Sequence, residues 1–188
     1  MDGPHEPVAM VRDPDQRPHP EVETRVGDLE EPLDPVLEGC HAVIFAAGSG
    51  SSTGPEKTLA VDRDGAVRSI AAAEAAGIER YVMLSSMRAD PESEGHPISH
   101  YLRAKGIADR HLERSGLHWT IVRPGRLTDD PGTGRVQVAP RLESFGSITR
   151  ADTAAILVAC LDEPSALHRT FDVLEGETPV VDALRNLG

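Results

Sequence analysis

Aromatic side chains make up only 3% of this chain, so its core has to be built from Val, Ile, Leu and Ala. Lysine is scarcer still: of 19 basic residues only Lys57 and Lys105 are lysine, and the rest are arginine. Two cysteines, Cys40 and Cys160, are too few for a disulfide framework or a metal quartet. Cys160 lies in an apolar helical run and reads as packing, and a reducing cytoplasm is the expected location. Long apolar runs are missing too. The strongest, Ala154 to Leu161, falls far short of the roughly 20 residues of a membrane span. The opening MDGPHEPVAM has no basic segment and no long apolar one, so no secretory signal is expected. Positive charge is in deficit, 19 basic against 31 acidic residues for a net charge of -12. That field repels nucleic-acid phosphates and anionic membranes, so neither is an expected partner. Such a composition fits a salt-adapted surface or a coding bias toward GC-rich codons, and the sequence leaves both open.

What is present is alternation. At 188 residues one core buries roughly 70% of the unfolded surface without disulfide staples. No repeat, linker or second domain interrupts the chain, so a single domain over 1–188 is expected. Pro7 to Arg12 and Val22 to Leu29 read as strands, and Leu33 to Glu38 as a short helix ended by Gly39. His41 to Ala47 and Arg80 to Ser86 are continuous apolar runs, the pattern of strands buried on both faces. Glu56 to Ala76 reads as a helix, with Val61, Ala72, Ala73 and Ala76 apolar and Asp62, Arg63, Asp64 and Arg68 on its polar side. Tyr101 to Arg114 is a second long helix, followed by a strand, Leu117 to Arg123, broken by Pro124-Gly125. Short β segments around Val136 to Ala139 and Phe145 to Ile148 come next. They precede a helix from Ala151 to Leu161 with Thr149 as its N-cap, a strand around Arg169 to Leu174 and a last helix from Val180 to Leu187. The expected class is α/β: a doubly wound, mostly parallel Rossmann-like sheet with helices on both faces.

Ligands of such sheets bind beyond the carboxyl ends of the strands. The residues there are Arg12-Asp13, Asp28-Leu29, Ala46-Ala47-Gly48, Ser85-Ser86 and Pro124-Gly125. Tyr101 and Lys105 open the following helix at i, i+4 and share one of its faces. This set resembles the short-chain dehydrogenase/reductase superfamily, most closely its atypical NAD(P)H-binding branch with sugar-epimerase-like and flavin-reductase-like relatives. The resemblance rests on YLRAK (Tyr101 to Lys105), the serines ending the strand before it, GDL (Gly27 to Leu29), AAG (Ala46 to Gly48) and RPG (Arg123 to Gly125). It covers nearly the whole chain.

The resemblance implies a catalytic set of Ser86, Tyr101 and Lys105. A carbonyl that accepts hydride becomes an alkoxide and needs a proton. A phenol, with a free pKa of about 10, supplies one when a neighbouring ammonium favours its phenolate. Lys105 is also implied to hold the nicotinamide ribose, and Ser86 to orient the carbonyl. Arg12 stands where the family selects NADP through the 2′-phosphate, which a guanidinium suits, although Asp13 beside it is an acid. Asp28 is implied to contact the adenine amine and Leu29 to pack on the ring. Ala46, Ala47 and Gly48 are implied to pass close to the adenine ribose, and Pro124 to lie at the cofactor. NADP is therefore the expected cofactor, and no metal is expected. His96 and His100 have an H-x3-H spacing, but Pro97 disfavours a helix there and no third ligand is near. Trp119 reads as core.

The family's opening strand, glycine-rich turn and helix find no counterpart before Arg12. That turn would cradle the pyrophosphate on free backbone N–H groups. The first family strand is therefore expected to be absent, leaving a gap between two strands that would otherwise flank it. Gly48 to Gly54 (GSGSSTG) is spaced GxGxxxG and reads as a loop beside the site. Start-site truncation of a longer chain, a fragment that has lost cofactor binding and a rebuilt site all fit, with truncation preferred. The expectation is an NADPH-dependent oxidoreductase of the atypical type or a remnant of one, acting on an unknown small molecule, possible as a homo-oligomer. The alternative is a non-catalytic dinucleotide-binding or redox-sensing module.

Overall fold

The computed structural model describes residues 5–16, 18–50 and 53–187. The first residues read for a leader, and Ser51-Ser52 of the 48–54 loop, lie outside the described residues. In chain order the elements are β1 (Val8–Val11), β2 (Glu23–Val26), α1 (Asp34–Leu37), β3 (Ala42–Phe45) and α2 (Pro55–Thr58). A π-helical stretch, Leu59–Gly65, leads into α3 (Ala66–Ala75), and β4 (Arg80–Leu84), α4 (Ser99–Glu113), β5 (His118–Pro124), β6 (Arg126–Thr128) and β7 (Arg135–Ala139) follow. The chain closes with β8 (Ser147–Thr149), α5 (Arg150–Asp162), a 3₁₀ turn, β9 (Arg169–Glu175), β10 (Thr178–Pro179) and α6 (Val180–Arg185).

The main sheet has the order β10-β7-β9-β5-β4-β3. Strands β3, β4, β5 and β9 run parallel, and β7 turns back antiparallel to β9. Alternation along β4 sorts the helices onto two faces. Tyr81 and Met83 enter a cluster with Ile70 and Ala73 of α3 and Ala108 and Leu112 of α4. Val82, between them, enters the other cluster with Ile156 and Cys160 of α5 and Leu184 of α6. The expected doubly wound α/β architecture is therefore present. Cys160 is fully buried, and burial pushes its thiol up to about 12. Trp119 is half-buried against the first cluster, edge-on to His168 at 5.5 Å.

Strands β1 and β2 form a parallel pair of their own, separate from the main sheet. A cavity of about 430 Å³ lies between them and β3, lined by Val8, Ala9 and Met10 on one side and Ala42 to Ala47 on the other. Among the described residues strand β3 thus bonds to β4 and to no second strand. No described helix is long and apolar enough to cross a membrane.

The helix expected over Glu56 to Ala76 needs correction. It is broken by the seven-residue π-helical stretch, in which each turn takes in an extra residue. That extra residue changes which side chains face inward. Asp62, expected on the polar side, is 1% exposed.

Candidate functional site

The carboxyl ends of β4 and β5 and the first turns of α4 meet at one place. Its spacing depends on two glycines. A Cβ on Gly106 would stand 2.4 Å from the Pro91 nitrogen, so only glycine lets α4 lie against the loop after β4. A Cβ on Gly125 would stand 2.3 Å from the Gly146 carbonyl oxygen, which fixes the RPG turn against the loop before β8. The peptide N–H of Met87 donates to Pro124 O at 2.9 Å and ties the two strand ends together.

On this frame α4 presents Tyr101, Lys105 and Asp109 at successive i+4 positions, one face of the helix. The Lys105 ammonium lies 5.9 Å from the centroid of the half-buried Tyr101 ring. Lys105 itself is only 4% exposed. Its Nζ donates to Leu84 O at 3.2 Å and stands 3.3 Å from Asp62 Oδ1. An ammonium has three N–H donors, and only Leu84 O accepts one of them as a hydrogen bond among the described residues; Asp62 Oδ1 stands by as an ion-pair partner. Tyr101 Oη makes no hydrogen bond among the described residues.

Asp109, 1% exposed, gathers the strand ends. Its Oδ2 accepts from Ser85 Oγ at 2.8 Å and from Arg123 Nε and Nη2 at 2.9 and 2.8 Å. Burial pushes its pKa upward, against the pull of Arg123, Ser85 and Lys105. Ser86, the serine assigned by resemblance, is half-buried, and its Oγ donates to Met87 O at 3.3 Å. Two residues on, Arg88 has a left-handed φ of 64°, and its guanidinium lies 5.1 Å over the Phe145 ring.

The residues assigned to the cofactor fall into separate groups. Ala46 and Ala47 line the cavity between β1 and β3, and Leu29 forms part of its wall. Leu29 is 7% exposed, with its side chain in the first apolar cluster. Asp28 Oδ1 accepts the Glu30 N–H at 3.0 Å, an Asx turn just past β2. Arg12 is exposed just past β1. Gly48 is exposed, and the next residue's N–H, that of Ser49, donates to Asp62 Oδ2 at 2.9 Å. Pro124 is buried at the end of β5. His96 Nδ1 accepts the Ile98 N–H at 3.3 Å in a local turn.

Asp62 and Asp109 were missing from the sequence-based site, and Ser85 and Arg123 stood there only within strand-end motifs, with no role assigned. Two of them left signals. Asp109 continues the i, i+4 row from Tyr101 and Lys105. Ser85 continues the alternation Tyr81, Met83 along β4, which aims it at α4.

Residues 1–164 match the NAD(P)H-binding family. The chain belongs to that family. It is 45% identical to the uncharacterized sugar epimerase YhfK of Bacillus subtilis, over 97% of this chain and 88% of that protein. A solved structure from Bacillus halodurans, described as an NAD-dependent epimerase/dehydratase, is 41% identical with a TM-score of 0.92, covering 97% of this chain and 88% of its own. The oxidoreductase ylbE of Lactococcus lactis superposes with a TM-score of 0.87 at 26% identity, over 99% of this chain and 87% of its own.

Proposed function

We propose that this member of the NAD(P)H-binding family is an oxidoreductase of the atypical short-chain type that reduces a small carbonyl-like substrate. The observation that carries the reading is the Tyr101–Lys105 pair. It lies beyond parallel strand ends, with the phenol hydroxyl unengaged among the described residues and lysine N–H donors to spare. Those open valences fit a nicotinamide ribose and a carbonyl oxygen. The nucleotide, when bound, supplies the hydride. Lys105 gives a free N–H to a ribose hydroxyl, and Ser86 orients the carbonyl. Tyr101 Oη passes its proton to the oxygen that gains charge, while the ammonium stabilises the phenolate left behind.

The finer assignments belong to the same proposal. Arg12 favours NADPH by pairing with the 2′-phosphate, and Asp28, Leu29 and Ala46 to Gly48 serve the adenosine half. The chain works as one nucleotide-binding unit in the cytoplasm. The edges of β1 and β3 that face the cavity, which have no strand partner among the described residues, support self-association.

Titration of NADPH and NADH by nucleotide fluorescence tests the cofactor choice. A charge-assisted pair at Arg12 gives NADPH an advantage of about tenfold or more, and Arg12→Ala removes it. Equal affinities in the parent protein sink the Arg12 assignment. In single-turnover assays with quinones and aldehydes, Tyr101→Phe abolishes hydride transfer and leaves nucleotide affinity nearly unchanged. Nucleotide binding with no reduction of any acceptor transfers the reading to a non-catalytic dinucleotide-binding or redox-sensing module.

A further inference from the structure

Two buried carboxylates, Asp62 against Lys105 and Asp109 one turn along its helix, each have an oxygen without a hydrogen bond among the described residues. Asp62 enters from the π-helical stretch. Its Oδ2 is taken by the Ser49 N–H, while Oδ1 has no hydrogen-bonding partner among the described residues and stands 3.3 Å from Lys105 Nζ. Asp109 enters from the next turn of α4. Its Oδ2 is taken three times over by Ser85 and Arg123, and its Oδ1 is buried without a hydrogen-bond partner among the described residues. Leaving a buried charged acceptor unmet is costly, so two such oxygens, one beside the Lys105 ammonium and one on the next turn of its helix, call for an explanation. Formal charge supplies it: Asp62 and Asp109 against Lys105 and Arg123 balance to zero, the condition under which buried charges are tolerated.

We propose that Asp62 and Asp109 are a positioning pair for Lys105, Asp62 by contact and Asp109 through its field, which hold the ammonium beside the Tyr101 ring before any nucleotide is bound. The proposal rests on the reading that Lys105 serves a nucleotide. Asp62 has a second task in it. One of its oxygens holds the backbone of the loop after β3 and the other faces the lysine, so the adenosine-side loop and the nicotinamide-side cation are set by one carboxylate. A π-helical stretch is what turns that carboxylate inward.

The scarcity of lysine makes the test clean, because acylation can report on Lys105 against Lys57 within one protein. Pulsed acylation with acetic anhydride, read by peptide mass spectrometry, is run without nucleotide. Lys105 is expected to react far more slowly than Lys57. Asp62→Asn is expected to raise the Lys105 rate by about tenfold or more, the worth of a charge-assisted contact, with Lys57 and the circular dichroism spectrum unchanged. Asp109→Asn gives a smaller rise. A Lys105 rate unchanged in Asp62→Asn overturns the proposal. If Asp62→Asn alone does not fold, thermal melts decide. Lys105→Met strands two carboxylates, so the double variant Lys105→Met/Asp62→Asn is expected to melt above Lys105→Met, and a double variant that melts no higher overturns the pairing. NADPH titration separates the two readings. Asp62→Asn is expected to weaken NADPH about tenfold by the same contact, and equal affinity overturns the positioning role while the oxidoreductase reading stands. A parent protein that binds no NADPH, with Lys105 reactivity as expected, overturns the oxidoreductase reading and leaves the carboxylate seat as a structural feature.

Discussion

Strand β9 is hydrogen-bonded on both sides, to β5 and β7, whereas among the described residues β3 bonds only to β4 and β1 only to β2, with a cavity between β1 and β3. Burial follows pairing. Phe171 and Val173 of β9 are fully buried, while Ile44 of β3 is 37% exposed and Val26 of β2 is 59% exposed. Charge follows the same division. Residues 1–60 carry twelve acidic and four basic side chains, so most of the net charge of -12 sits on the open flank. A parallel strand needs neighbours on both sides and cover on both faces to bury its side chains. The open flank meets that condition only in part and the closed flank meets it fully.

The sharpest way to break the contrast is to remove the same side chain from each flank. Ile44 pairs in register with Val82, so both lie on the face covered by α5 and α6, where Ile156 is fully buried. Ile156→Ala is expected to cost about 2–5 kcal/mol, because it leaves a cavity in a packed cluster. Ile44→Ala is expected to cost about 1 kcal/mol or less, as exposed substitutions do. Denaturant unfolding of the two variants measures both, and equal losses would show that the gap beside β3 is closed in solution.

The closed flank also has a polar tie, which acid should loosen. Thr149 caps α5 by accepting the Asp152 N–H at 2.9 Å. The Asp152 carboxylate in turn accepts from the Thr133 N–H at 3.0 Å and the Gly134 N–H at 2.7 Å, so the loop between β6 and β7 is fastened at its end. Burial opposes the Asp152 charge, but these N–H groups and the Thr149 hydroxyl outweigh it and hold the pKa below the usual carboxylate range. A carboxylate lowered in the folded state adds stability above its unfolded pKa of about 3.9, and that contribution fades as pH falls through the folded value. Asp152→Asn should therefore cost about 2 kcal/mol near neutrality, the upper range for cap substitutions. The gap between variant and parent should close as pH drops below about 4. A gap that stays constant through acid unfolding would show that Asp152 acts by packing rather than by charge.

The closed flank was the more legible in the sequence, and the reason is physical. Continuous apolar runs such as Arg80 to Ser86 announce a strand covered on both faces, and Thr149 before Arg150 announces a cap. The Tyr101–Lys105 spacing also survives any change in loop structure, because a helix fixes it. The misses have two causes. A π-helical stretch has no sequence signature distinct from an α-helix, so Asp62 was placed on the polar side although the extra residue per turn faces it inward. Arg123 and Asp109 meet across a strand and a helix 14 residues apart, and no local period encodes that contact. The antiparallel return of β7 onto β9 is likewise a tertiary choice that short β segments leave open.

Salt gives the smallest effect and acts on the open flank. Raising ionic strength from 0.1 M to 1 M shortens the Debye length from about 10 Å to about 3 Å. Repulsion among the acidic residues of the first third should then fade, while the few acids of the closed flank that are already paired or hydrogen-bonded, such as Asp109 and Asp152, gain little. A stabilisation of about 1 kcal/mol corresponds to a melting temperature about 2–4 °C higher for a chain of this size, so a series from low salt to molar KCl should show a rise of that order. Hydrogen exchange locates it. Amides of the β1–β2 pair should gain protection with KCl, and those of β5 and β9 should change little. A uniform gain across the sheet would mean that salt acts by general exclusion from the surface. A melting temperature that stays flat or falls would remove salt adaptation as the reason for the acidic composition and leave codon bias as its source.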